Sequence, residues 1–226
     1  MAVKLRTTKT ISLEGITILV HAQSGAGKTK LIETLPTPII LSAEAGLLSL
    51  AGTDLPYIEV QSLADLDEAY KWITESSEAK HFESVALDSI SEIAEVVLAA
   101  EKRKTKDGRT AYGALGDIMG DQVRKFRDLP GKHVYFSAKQ ERFADETGKL
   151  LYAPSMPGNK TAQGLPYFFD EVLALRVEKD SEGKTYRALQ CQPDGVYQAK
   201  DRSDKLDFWM QPDLGEVIRT IKEPKQ

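Results

Sequence analysis

The sequence predicts an α/β fold: a mainly parallel central sheet flanked by helices and extended by antiparallel strands toward the carboxyl end. Three observations predict it. A glycine-containing loop at residues 22–29 sits between an apolar, β-branched run and a stretch that suits a helix. Short apolar runs then alternate with stretches of helical spacing as far as residue 138. After residue 168, strand-like runs follow one another, separated by turns at Ser181-Glu182-Gly183 and Pro193-Asp194-Gly195.

A length of 226 residues with 41% hydrophobic content supports one large domain, 1–226, with a substantial core. The formal charge of −4 argues against a broadly basic coat, so any nucleic-acid contact has to come from local basic segments. Cys191 is the sole cysteine, which excludes an internal disulfide. No apolar run reaches membrane-spanning length, and Met1–Arg6 lacks the apolar segment of a secretory signal. The default expectation is a reducing, cytoplasmic setting without membrane contact.

Residues 4–13 alternate loosely before Glu14-Gly15 and read as an edge strand or an oligomerisation arm (1–14). Ile16–Val20 is the first central strand. It runs into His21-Ala22-Gln23-Ser24-Gly25-Ala26-Gly27-Lys28-Thr29, which has Walker A spacing with Ala22 where glycine is commoner. The residue types explain the motif. Gly25 and Gly27 let backbone N–H groups converge on an anion, and the following helix start adds its positive end. Ala22, Gln23, Ser24, Gly25, Ala26, Gly27, Lys28 and Thr29 thus form a candidate nucleotide cradle. Lys28 is placed for the β and γ phosphates and the Thr29 hydroxyl for Mg²⁺. Thr29–Leu35 is expected to be helical.

Pro36 and Pro38 interrupt the chain before a buried-looking strand, Ile39–Leu41. Glu44 stands just past its end, where open α/β sheets place their ligands. Tyr57–Val60 is a further strand, and Ser62 with Asp65 forms a capping pattern before Leu63, Leu66, Tyr70 and Ile73. Val85–Leu87 ends in Asp88-Ser89, a Walker B arrangement in which Asp88 would hold Mg²⁺ through a water. The alternative is an Asp that caps the next helix, whose apolar face is Ile90, Ile93, Ala94, Val97 and Leu98.

Residues 101–110 carry Lys102, Arg103, Lys104, Lys106 and Arg109 against Glu101 and Asp107. Gly108 and the mixed polarity suggest a solvated loop or a frayed helix end, which is either ordinary charged surface or a loop for nucleic-acid phosphates, with Tyr112 available to stack on a base. Leu115, Met119, Val123 and Phe126 mark a helix closed by Pro130-Gly131. His133–Ala138 is a fourth central strand ending at Lys139-Gln140, where Gln140 could sense a γ phosphate. Residues 141–165 read as a long loop with a small hairpin through Leu150–Tyr152, and Lys149, Tyr152 and Lys160 are candidate contacts. Residues 168–177, 185–192 and 197–200 read as an antiparallel meander. Asp213 and Glu216 cap a last helix carrying Leu214, Val217, Ile218 and Ile221.

The order of Ala22–Thr29, Glu44, Asp88 and the Phe136–Gln140 strand end resembles the RecA-like core phosphate-loop ATPases. It is most similar to the short phage proteins linked to single-strand annealing and recombination. In AAA+ proteins the catalytic Glu directly follows the Walker B Asp, whereas Ser89 stands there in this sequence. The resemblance implies Glu44 as general base, its alternative being a carboxylate at a helix start. It implies that Lys200 and Arg202, in Lys200-Asp201-Arg202, reach across a subunit interface to a neighbour's γ phosphate. It further implies DNA-binding loops at 102–113 and 141–165.

The activity so implied is DNA-stimulated ATP hydrolysis with ATP and Mg²⁺, in a homo-oligomeric filament or ring on single-stranded DNA. A single-strand-binding protein is an expected partner, and the host cytoplasm the site if the chain is phage-encoded. At this length there is no room for the extra N- or C-terminal domains of larger recombinases, so the resemblance does not by itself imply partner loading, duplex capture or full strand exchange. Alternative readings are a RecA-type helicase or packaging motor, a phosphate-loop small-molecule kinase, and an ATP-gated clamp without hydrolysis.

Overall fold

The computed structural model describes residues 15–44, 46–144 and 147–224. The strand or arm expected at residues 4–13 lies outside these. In chain order the elements are β1 (Thr17–Ala22), β2 (Pro38–Ser42), β3 (Tyr57–Glu59), α1 (Leu63–Glu75), β4 (Ser84–Asp88), α2 (Ile90–Lys104), α3 (Gly108–Arg127), β5 (His133–Ala144), β6 (Leu150–Ser155), α4 (Asn159–Gly164), β7 (Glu171–Lys179), β8 (Thr185–Gln190), β9 (Lys200–Asp201), β10 (Trp209–Met210) and α5 (Leu214–Lys222). Short 3-10 helices lie between several of them, including Thr29–Thr34 after the glycine loop.

The strands form one sheet in the order β10-β8-β7-β1-β5-β4-β2-β3, with β6 on β5 and β9 on β7. From β7 to β3 every pairing along that path is parallel, so these strands end on one side of the sheet. β1 is central, with Ala22 level with Lys139 of β5 and His21 level with Ala174 of β7. β1, β2 and β4 are buried along their whole length, which is why their sequences read as continuous rather than alternating apolar runs.

Each face of the sheet carries its own core. One holds Leu66, Ala69 and Ile73 of α1, the apolar stripe of α2, and Leu115, Met119, Val123 and Phe126 of α3. The other holds Leu31 and Ile32 of the 3-10 helix, Tyr135, and Leu214, Val217, Ile218 and Ile221 of α5. The expected caps form: Ser62 accepts from the Asp65 N–H and Asp213 from the Glu216 N–H.

The structure corrects several expectations. Thr29–Thr34 is helical as expected, but in the 3-10 form, and it ends one residue early because Leu35 precedes Pro36 and is extended, with ψ 146°. A turn this short has little stability of its own, so its place is set by packing against α5 and β2. Residues 102–113 are not a loop: α2 runs to Lys104, and Asp107 accepts from the Arg109 N–H to start α3 at Gly108. Within residues 141–165 the expected hairpin through Leu150–Tyr152 forms, but it is larger than a small hairpin in a loop: β5 continues to Ala144, pairs antiparallel with β6, and α4 follows. The run expected from 168 begins as a strand only at Glu171, and β7 is parallel to β1 while antiparallel to β8. The expected strand at 197–200 reduces to a bridge at Tyr197 and the two-residue β9.

Candidate functional site

The loop from Ala22 to Thr29 crosses from the end of β1 to the 3-10 helix. Gly25 and Gly27 have φ of +77° and +109°, values that L side chains rarely adopt, so the two glycines are required where the motif puts them. Ala22 is fully buried as the last residue of β1 and has no positive φ, so the departure from glycine costs the loop nothing. The Lys28 ammonium folds back over the loop and donates to the carbonyls of Ala22 (3.0 Å) and Gln23 (3.2 Å). The buried Tyr135 hydroxyl donates to the Lys28 carbonyl at 2.9 Å and anchors the loop from beneath.

The two candidate metal residues meet. Thr29 Oγ1 donates to Asp88 Oδ2 at 2.7 Å, and the Ser137 hydroxyl donates to the other carboxylate oxygen. Asp88 does not cap α2; Ser89 does, accepting from the Glu92 N–H. The Ser89 hydroxyl also donates to Glu44 Oε1 at 2.5 Å, which brings the Glu44 carboxylate from the end of β2 to the end of β4. Burial lowers the Lys28 pKa, with Asp88 and Glu44 opposing the shift. Burial raises that of Asp88, against the hydrogen bonds from Ser137 and Thr29. A buried carboxylate beside a hydroxyl is a fitting pair of hard oxygen donors for Mg²⁺, which takes few protein ligands and fills its shell with water and phosphate oxygens.

Gln140 lies one residue above the level of Ala22, its side-chain amide 3.0 Å from Nδ1 of the buried His21. Nε2 of His21 is 2.7 Å from the Gln198 carbonyl. Burial lowers the His21 pKa to about 4 and keeps the ring neutral, so a single ring N–H is set between two acceptors, Gln140 Oε1 at Nδ1 and the Gln198 carbonyl at Nε2.

Lys200 and Arg202 stand elsewhere. Lys200 is level with Val172, which is level with Leu19, about 10 Å down the sheet from Ala22 at 3.3 Å per residue. The Lys200 ammonium donates to the carbonyls of Pro166 and Phe169, and Arg202 pairs with Asp170 at 2.9 Å. Within one chain neither lines its own loop.

The basic candidates gather at a corner. Lys102, Arg103 and Lys104 form the last turn of α2, with Lys104 paired to Glu101 and Lys102 over the half-exposed Tyr112 ring at 5.4 Å. Lys106 lies in the short connection, and Arg109 in the first turn of α3. Arg103 and Lys104 line a cavity with Gln61 and Ser62, which follow the carboxyl end of β3, so the corner is on the same side of the sheet as the glycine loop. Tyr112 also approaches Gly158, just before Lys160 in α4. Lys149 lies before β6, beside Gly195. Tyr152 stacks on Tyr197 at 4.7 Å and 18°, with Arg142 over one ring at 5.8 Å and Arg176 over the other at 3.7 Å.

Sequence reasoning missed Ser89, Ser137 and Tyr135 as supports, and it missed Arg187. The Arg187 Nε donates to the Ala26 carbonyl at 2.7 Å across 161 positions of sequence. Only the register of β8 on β7 puts it there, and no local pattern records that register.

A mostly parallel sheet with a glycine loop after its central strand, and a Thr–Asp pair beside it, defines a phosphate-loop nucleotide-binding fold with the layout of a RecA-like core. The family comparison agrees and is more particular: the AAA domain family matches residues 14–203, and the chain belongs to that family, an AAA-type phosphate-loop ATPase domain. No curated protein matches the chain. Among the described residues no helix is long and apolar enough to cross a membrane.

Proposed function

We propose that this AAA-type ATPase domain is an ATP-dependent single-stranded-DNA-binding protein that promotes annealing or homologous recombination. The observation that carries the reading is the continuity of β5. Gln140 stands beside the glycine loop, and two residues further along the same strand Arg142 begins the Arg142–Tyr152–Tyr197–Arg176 column. A stacked aromatic pair flanked by a cation at each end suits unpaired nucleotides, whose bases stack and whose phosphates attract the guanidinium groups. The basic corner at Lys102, Arg103 and Lys104, with Lys106, Arg109, Tyr112, Lys149 and Lys160, extends this surface on the same side of the sheet.

In this reading the loop and Lys28 bind the triphosphate, and Thr29 and Asp88 hold Mg²⁺. Bound Mg²⁺ supplies neutralisation of the phosphate charge that develops during transfer. Glu44, oriented by Ser89, takes the proton of the attacking water. Gln140 contacts the γ phosphate and reports its loss through His21 to Gln198. Lys200 and Arg202 serve a neighbouring subunit in a filament or ring, which requires Arg202 to exchange Asp170 for phosphate.

The test is steady-state ATP hydrolysis with and without single-stranded DNA across protein concentration. Stimulation that rises cooperatively with protein is expected. Turnover indifferent to DNA and dependent on a small acceptor would replace this reading with a kinase.

A further inference from the structure

Arg187 has no role in the site as built so far. Its Nε is held by the Ala26 carbonyl at 2.7 Å, and it lies 3.4 Å from where a Cβ on Gly27 would stand, so the guanidinium rests against the phosphate loop itself. That bond uses one of five N–H donors, and among the described residues no carboxylate forms an ion pair with it. A cation at such a place is served by an anion that arrives later.

Sheet order gives the direction. Asp88, Glu44 and Gln140 all approach the loop from β4, β2 and β5, on one side of β1. Arg187 approaches from β8, on the other side. A triphosphate whose γ end faces the acids therefore sends its α-phosphate and nucleoside toward β7 and β8. The two strands continue past the level at which β1 ends, and the cross-strand pair there is Val177 with Arg187. Alternation puts both on the face of Leu175 and Leu189, the face of the loop, and Val177 is 45% exposed there. A guanidinium beside an exposed apolar side chain matches an α-phosphate beside a nucleoside.

We propose that Arg187 is a ligand of the α–β phosphate segment of the bound nucleotide, supplied by the same chain that supplies the loop. The assignment rests on the ATPase reading. It makes Arg187 a binding residue rather than a catalytic one: the segment it grips is present in ATP and ADP alike and is unchanged by loss of the γ phosphate.

Equilibrium binding of ATP and ADP with Mg²⁺, together with kcat at saturating ATP, tests it on wild type, Arg187→Gln and Arg187→Lys. Gln can still donate to the Ala26 carbonyl but carries no charge. Its expected effect is a parallel loss of about tenfold in affinity for both nucleotides, as for one charge-assisted hydrogen bond, with kcat within about twofold of wild type. Arg187→Lys recovers part of the loss. Wild-type affinity for both nucleotides in Arg187→Gln would overturn the assignment and leave Arg187 as a brace for the loop. A loss confined to ATP would overturn it in favour of a γ contact. Failure of the wild-type protein to bind either nucleotide would instead remove the ATPase reading.

Discussion

The two flanks of β1 meet the same loop with opposite chemistry. On the side of β5, β4 and β2 stand hydroxyls and carboxylates, Thr29 with Asp88 and Ser89 with Glu44, linked at 2.7 and 2.5 Å. On the face of β7 and β8 that is turned to the loop stand Arg187 and apolar side chains, with α5 packed beneath. The acid flank is assembled from residues at strand ends, each positioned by its own strand. The basic flank is assembled by register between strands and by packing over long sequence separation.

This division can be broken most severely at the loop. Lys28→Ala, which lies between the flanks, is expected to weaken ATP binding by at least about a hundredfold, since it removes a charge shared by two phosphates. Titration with ATP checks it, and retained affinity would mean the loop is not a nucleotide cradle. Glu44→Gln attacks the acid flank alone. Hydrolysis should fall about a hundredfold to a thousandfold while ATP affinity holds, as for loss of a general base. Normal turnover in a single-turnover assay would make Glu44 a structural partner of Ser89.

Two changes on the basic flank should move stability and leave turnover nearly untouched. Glu171, at the foot of β7, has its pKa raised to about 8, chiefly by burial and then by Asp201. A raised carboxyl pKa means that the folded state keeps a proton the unfolded chain has released. Its contribution is complete below about 4.5 and is lost as pH rises through about 8. Glu171→Gln should therefore gain stability relative to wild type between pH 5 and 8, by about 2–4 kcal/mol. Urea midpoints at the two pH values decide this, and a pH-independent difference would refute it. The smallest effect is expected at α5, where a Cβ on Gly215 would stand 2.5 Å from the Thr34 carbonyl. Gly215→Ala should destabilise by about 1–2 kcal/mol, the overpacking cost less the helix-propensity gain. A rise in melting temperature would show that the 3-10 helix yields.

Much of the acid flank is legible in the sequence because backbone and chemistry coincide there. Glycines at +77° and +109°, and an aspartate at the end of a buried strand, are local features with local causes. Legibility fails where a long-range fact decides. Gly108 reads as a loop residue, yet the Asp107 cap turns it into the first residue of a 20-residue helix. Gln140 reads as a strand end, yet β6 supplies the hydrogen bonds that let β5 run on. Arg187 is an unremarkable surface arginine until β8 is aligned on β7. Lys200-Asp201-Arg202 shows the reverse failure: its pattern is plain in the sequence, but its partners, the Pro166 and Phe169 carbonyls and Asp170, are not.

The unbroken run of β5 also limits the kinematics of the molecule. Its first six residues are fixed inside the sheet between β1 and β4, and its last six form one side of the hairpin with β6. A strand laddered on both stretches has no hinge at the junction. The arm is therefore carried as an extension of a core strand, so a tilt of β5 displaces the hairpin by an amount that grows with distance along it.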